Sequence, residues 1–178
     1  MAGREIVDVA YGEGWDSGRE VALGPIDAAT AAARDAAGQP YAVVLRQQGN
    51  PGVVVAHVAW ECHYLGLWVY DARGRRFLET DLRRLAEDRL FLCHQRGWAY
   101  TDDGTAEFAA DAGRVTTRLR PDGGGTRIVE SRGDKGGSLQ TAADVPEVTG
   151  ALVRRKPPVP DVRWFRRRVG NRRDGQGL

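Results

Sequence analysis

The order of hydrophobic and polar positions divides the chain into one helical stretch and a long series of strand-like ones. In "PIDAATAAARDAAG" (25–38), Asp27 stands where an N-cap belongs, alanines follow, and Gly38 with Pro40 closes the run, which predicts a helix. Its apolar face is built of small side chains, so it can lie close against a sheet. Before it, "EIVDVA" predicts a short first strand and "YGEGWDSG" a glycine-rich turn.

From Tyr41 onward the period is that of β-structure. "YAVVLR", a turn at "QQGNPG" and the run "VVVAHVAWECHYLGLWVYD" follow one another, the last being one bent strand or two strands broken near Gly66. "YDARGRRFLETD" and "RPDGGGTRIVES" carry Asp and Gly where hairpin turns need them. "TDLRRLAEDR" has Leu82 and Leu85 at helical spacing and predicts a short second helix, while "LFLCHQRGWAY" and "RVTTRLR" predict strands. Short turns between strands imply antiparallel pairing. The expected architecture is therefore α+β: a mostly antiparallel meander of about six strands, with the Ala-rich helix and one short helix on one face.

At 178 residues, with 42 % hydrophobic and 28 % charged positions, the chain suits one domain with a core of ordinary size. The "KPPVP" segment marks the expected boundary, giving a single domain over 1–156 and a Pro/Arg-rich tail over 157–178. Charge divides near the same place. From Arg154 to the end there are nine basic residues and two acids, so the overall net charge of +2 conceals an acidic body and a basic tail. Abundant Ala, Arg, Gly and Val with scarce Lys suggest a bacterial genome of actinobacterial type. The first residues lack the continuous apolar run of a signal peptide, and no stretch is long enough to span a membrane, so a cytoplasmic protein is expected. Cys62 and Cys93 then read as buried thiols.

Candidate chemistry concentrates in "HVAWECH", which holds two of the three histidines, a cysteine and a glutamate. On a regular strand His57, Ala59, Glu61 and His63 would share one face, opposite Val58, Trp60, Cys62 and Tyr64. His57 and His63 would lie about 20 Å apart, too far to share a metal, whereas Glu61 and His63 would be about 7 Å apart. If this strand pairs with "FLCHQRG", Cys62 falls beside Cys93, and His63 falls beside His94 near Glu61. Glu61, His63 and His94 are thus the candidate acid/base or metal-ligating set. The competing reading is an ordinary strand with hydrogen-bonded histidines and buried cysteines.

Other motifs fail. "GEGWDSG" does not open a helix as a dinucleotide-binding loop must, "GDKGGS" lacks the G-K-[ST] of a phosphate loop, and no serine stands in G-x-S-x-G. The sequence requires no cofactor. In the tail, Arg163, Trp164, Phe165, Arg166, Arg167 and Arg168 interleave aromatics with cations, which suits nucleic acid or an acidic protein surface. Trp15, Trp68, Tyr70, Trp98 and Tyr100 are candidate interface anchors, with core positions as the alternative for Trp68 and Trp98. Three functions are expected. The first is a non-catalytic binding protein with a protein partner, by analogy with toxin-neutralising immunity proteins. The second is a small enzyme or a metal- or ligand-binding protein using Glu61, His63 and His94, and the third is nucleic-acid association through the tail.

Overall fold

The computed structural model describes residues 6–47, 49–86, 89–121, 124–132, 138–145 and 152–154. In chain order the elements are β1 (Ile6–Asp16), β2 (Val21–Ile26), α1 (Ala28–Ala37), β3 (Tyr41–Gln47), β4 (Asn50–Ala59), a 3₁₀ turn (Trp60–Cys62), β5 (Tyr64–Tyr70) and β6 (Arg76–Ala86). Then come β7 (Arg89–Ala99), β8 (Gly113–Leu119), β9 (Gly125–Arg132), β10 (Ser138–Val145) and β11 (Leu152–Arg154). The expected domain boundary and the basic tail fall outside the described residues.

The strands form one antiparallel sheet in the order β10-β9-β8-β7-β6-β5-β4-β3-β1-β2, and β11 also pairs with β7. From β3 to β10 the sheet is a plain meander in which each strand turns back beside the last, with a longer loop, 100–112, only between β7 and β8. Both β2 and β3 run antiparallel to β1, hence parallel to each other, and α1 is the crossover that connects them. The fold is mainly β with a small helical part. It has eleven strands among the described residues where about six were expected.

Two local expectations give way. The glycine-rich "YGEGWD" belongs to β1, whose partner strands β2 and β3 supply the ladder that the sequence alone does not show. "TDLRRLA" is not a helix but the second half of β6. Leu82 is buried while Leu85 is half-exposed, so the pair never shares a helical face. The alternation Leu78, Thr80, Leu82 against Glu79, Asp81 is the period that the ladders to β5 and β7 select.

The helix forms as its caps dictate. Asp27 accepts a hydrogen bond from the Thr30 amide at 2.7 Å, and Gly38 takes the left-handed conformation (φ 76°) that ends the helix. Ala31 is wholly buried against the sheet. The main core lies on this face: Tyr41, Val43 and Leu45 of β3, Val54, Ala56 and Val58 of β4, then Leu65, Leu82 and Leu90. A smaller cluster on the opposite face joins Ala42, Val44, Val53, Val55 and Tyr70, with Trp15 and Trp68 beside it. Five consecutive residues of β3, Tyr41 to Leu45, are therefore buried, as befits a strand covered on both faces.

Helix, turn and sheet meet at one carboxylate. Asp35, 8 % exposed, accepts hydrogen bonds from the Tyr41 hydroxyl (2.9 Å) and from the Trp60 indole N–H. Replacing Asp35 by Ala leaves both buried donors without an acceptor, which should cost about 2–5 kcal/mol, a few kcal/mol at most for each lost partner. Asp35→Asn keeps an acceptor oxygen and should lose much less. Urea denaturation of the two variants separates these outcomes, and equal losses would show that shape rather than hydrogen bonding matters here.

Candidate functional site

The run "AWECHY" does not continue as a strand. β4 ends at Ala59, Trp60 turns inward to reach Asp35, and His63 adopts a left-handed backbone (φ 53°) that redirects the chain into β5. β6 ties the turn down: the Arg84 amide donates to the His63 carbonyl (2.8 Å), the Arg84 side chain to the Trp60 carbonyl (3.0 Å), and Arg83 to the Cys62 carbonyl (3.2 Å). Glu61, Cys62 and His63 are exposed on this turn.

His94 lies elsewhere, half-buried on β7, and β6 intervenes between β5 and β7. The expected pairing of Cys62 with Cys93 and of His63 with His94 is accordingly not what the sheet builds. Both cysteines are free, Cys62 exposed and Cys93 part-buried in a bulge opposite Asp81 and Leu82. None of the five aromatics singled out as anchors is fully exposed: Tyr70 is buried, and Trp15, Trp68, Trp98 and Tyr100 are part-buried. The aromatic and arginine cluster of the tail lies outside the described residues.

What the register does build is a polar face opposite α1. Residues directly paired across antiparallel strands share a face and stand about 5 Å apart. One row runs His57, Gly66, Asp81, His94, Arg118 across β4 to β8. The next runs Val55, Trp68, Glu79, Arg96, Thr116. The polar residues come from four strands that are far apart in sequence.

Within the first row Asp81 is the hub. One of its oxygens accepts from the Tyr64 hydroxyl at 2.7 Å, and the other lies 3.1 Å from His94 Nδ1. Tyr64 reaches Asp81 by folding over Gly66, and a Cβ on Gly66 would sit 2.3 Å from its hydroxyl oxygen. Burial first, then the hydrogen bond to Asp81, pushes the Tyr64 hydroxyl well above the ordinary phenol range.

In the second row Glu79, 9 % exposed, is held by Arg76 at 3.2 Å and by Arg96 at 3.5 Å. The Arg76 guanidinium lies over Trp68 (4.0 Å to the ring centroid) and Phe108 (4.9 Å), which suits a cation facing aromatic rings. Phe108 holds a left-handed backbone (φ 56°) that a bulky side chain adopts only at a cost. The loop that carries it is pinned to the β5–β6 turn, where Arg75 donates to the Asp102 and Thr105 carbonyls and Glu107 accepts from the Arg76 amide.

His57 closes the inner end of the face. Its ring packs against Trp68, 4.0 Å between centroids and tilted by 46°. Burial, then the nearby charge of Arg76, lowers its pKa to about 4. Four buried polar atoms on β4 to β7 of this face have no hydrogen-bond partner, His57 Nε2, Trp68 Nε1, Arg76 Nε and His94 Nε2, and Trp15 Nε1 on β1 is a fifth on the same side of the sheet.

Glu79, Asp81 and His94 each offer a ligand atom within 4.8 Å of the others, the donor set of a divalent cation. The surrounding charges argue against that use, since Glu79 already faces two guanidinium groups and both oxygens of Asp81 are engaged. Asp81 and Glu79 escape a reading along the chain because they stand in a segment with helical leucine spacing. The available signal is an i, i+2 polar alternation recurring in three neighbouring strands: Glu79/Asp81, His94/Arg96 and Thr116/Arg118. Comparison with protein-family models, with curated proteins and with solved structures finds no match. Among the described residues no helix is long and apolar enough to cross a membrane.

Two predictions follow from this geometry. His57 is held neutral in the fold but takes a proton near pH 6.5 once unfolded, so its contribution to stability is complete above about pH 6.5 and is lost as pH falls toward 4. That loss amounts to about 3 kcal/mol, from about 2.5 pKa units at 1.36 kcal/mol each. In a His57→Leu variant this part of the pH dependence should vanish from urea denaturation curves, and an unchanged profile would assign it to another group. Gly66→Ala should expel Tyr64 from Asp81, because the phenol is the movable partner of the clash. In ultraviolet titration, one tyrosine that resists ionisation in the wild type should then titrate near the ordinary value of about 10.

Proposed function

We propose that the protein works by binding, and that the polar face over β4–β8 receives a polar group of its ligand. The observation that carries this reading is the gathering of four buried, unpartnered polar atoms between β4 and β7 on one side of the sheet. Leaving a buried donor or acceptor unmatched costs about 1–3 kcal/mol, and native folds hold few such groups. A concentration of them around an aromatic and ionic network, bordered by the part-exposed Arg96 and the exposed Arg118, suits a ligand whose binding moves the covering side chains aside. The ligand group is carried by a small molecule or by a protein partner; the second form matches the expectation from the chain's uneven charge.

A second reading, acid/base catalysis, is favoured by one specific feature. Asp81 holds His94 through Nδ1 and leaves Nε2 unpartnered, the arrangement in which a carboxylate orients an imidazole for proton transfer. Glu61 and His63, exposed on their turn, enter neither arrangement.

The test compares wild type with His57→Leu at pH 7. If the polar face is kept for a ligand at the expense of stability, removing an unmatched imidazole should stabilise the fold by about 1 kcal/mol. Thermal shifts with a panel of sugars, amino acids and nucleotides should then show wild type stabilised by a member that leaves Trp68→Phe unmoved. A panel without effect, alongside a stabilised His57→Leu, assigns the group to a protein partner. Destabilisation by His57→Leu together with an inert panel would make the face structural and overturn the proposal.

A further inference from the structure

The polar face has two halves with different charge balance. In the inner half, Arg76 is close to Glu79 and enclosed by Trp68 and Phe108, so its charge is spent within the fold. In the outer half the cations are less fully engaged. Arg96 lies 3.5 Å from Glu79, longer than the roughly 2.7–2.9 Å of a close charge-assisted hydrogen bond, and its side chain is 37 % exposed. Arg118 is exposed, and no ion pair joins it to an acid among the described residues. Farther along β8, Arg114 is instead paired with Glu130. Arg118 is therefore the cation of this strand left over for something else.

Its position gives the leftover charge a direction. Arg118 is the register partner of His94, as Arg96 is of Thr116, so two guanidinium groups, an imidazole and a hydroxyl occupy adjacent places on β7 and β8. Behind them the carboxylates are occupied: Asp81 by Tyr64 and His94, Glu79 by Arg76 and Arg96. An ionised carboxylate only accepts, so His94 carries its proton on Nδ1 toward Asp81 and presents Nε2 away from it. Among the arginines and carboxylates of the face, Arg76, Arg96 and Arg118 exceed Glu79 and Asp81 by one positive charge.

We propose that His94, Arg96 and Arg118 form a subsite for an oxyanion, the phosphate or carboxylate group of the ligand. This rests on the polar face being a binding site and adds the chemical class of what it takes. The planar fork of a guanidinium matches two oxygens of such a group at once, and two forks on neighbouring strands can hold it from two sides. Thr116 adds a hydroxyl donor next to Arg96. With Nδ1 turned to Asp81, His94 offers Nε2 to a protonated oxygen of the ligand group. Tyr64 and Asp81 act as positioning residues, holding the ring from behind. A divalent cation would meet the same residues with the wrong charge on its flank.

The subsite is tested by isothermal titration of the full chain, at low ionic strength because exposed charges are strongly screened by salt. Inorganic phosphate and acetate are the two probes. Saturable binding of at least one is expected, weakened about tenfold or more by Arg118→Gln and by His94→Gln, a loss of about 1.4 kcal/mol or more. Arg19→Gln, a substitution in the exposed turn after β1, should bind as wild type does. Asp81→Asn should weaken binding too, with a smaller effect if its role is positioning. Binding of phosphate but not acetate identifies a phosphate-bearing ligand, and the reverse identifies a carboxylate. Absence of saturation with both probes, or undiminished affinity in Arg118→Gln, overturns the subsite, as does zinc or manganese binding at Glu79, Asp81 and His94 without anion binding. If a neutral member of the ligand panel still stabilises the wild type, only the charge class is wrong. If none does and His57→Leu destabilises, the binding face itself has failed.

Discussion

Asp35, at the last turn of α1, accepts from Tyr41 and Trp60 at once, and the course of the chain beyond it follows from that double demand. Tyr41 opens β3, so its hydrogen bond to Asp35 sets where the helix ends over the sheet. Trp60 can reach the same carboxylate only by leaving the alternation of β4, since a strand continuing past Ala59 would carry its side chains to successive opposite faces. The turn that results exposes Glu61 to His63 and starts β5 at Tyr64. That start places Gly66 between His57 and Asp81, and lets the Tyr64 ring occupy the space where any other residue at position 66 would carry a Cβ. A packing requirement of the helix thus fixes the register of the polar face on the other side of the sheet.

Elements whose determinants are local could be read from the chain. Asp27 and Gly38 cap the helix where their chemistry puts them, and β5 turns back into β6, and β8 into β9, where Asp and Gly cluster in the sequence. In β6, Leu82 and Leu85 satisfy a helical spacing, and only the partners on either side decide for the strand period. The turn at Trp60 was invisible for the same reason, as its cause lies 25 residues earlier in Asp35. The candidate site shows this most sharply. Three residues close in sequence, Glu61, Cys62 and His63, attracted attention, whereas the network on the sheet joins residues from four strands. Of the sequence candidates His94 is the one that this network contains, and its partner Asp81 is 13 residues away.

The two faces of the sheet divide the labour of the fold. The face under α1 concentrates the buried aliphatic residues, and burying a Val or Leu side chain stabilises a fold by about 1.5–3 kcal/mol. The opposite face begins apolar at β3 and β4, with Val44, Val53 and Val55, and becomes ionic from β5 outward. Such a gradient lets one half of a sheet anchor the structure while the other carries groups that contribute little to stability or reduce it. His57 sits at the junction, buried enough to be kept neutral and close enough to the ionic half to feel Arg76.

Two carboxylates in a face assigned to an anion are not a contradiction once their partners are considered. A guanidinium on a strand without a counter-charge would swing into water, where its long side chain has the most freedom. Glu79 draws Arg76 and Arg96 to the sheet, and Asp81 turns His94 so that Nε2 points away from it. Each acid sets the position of a base, and the two acids together balance Arg76 and Arg96. The charge that remains is that of Arg118, which no acid among the described residues pairs with; it is exposed to solvent and takes the register place beside His94. The carboxylates arrange the face, and the unmatched arginine determines the sign of what binds there.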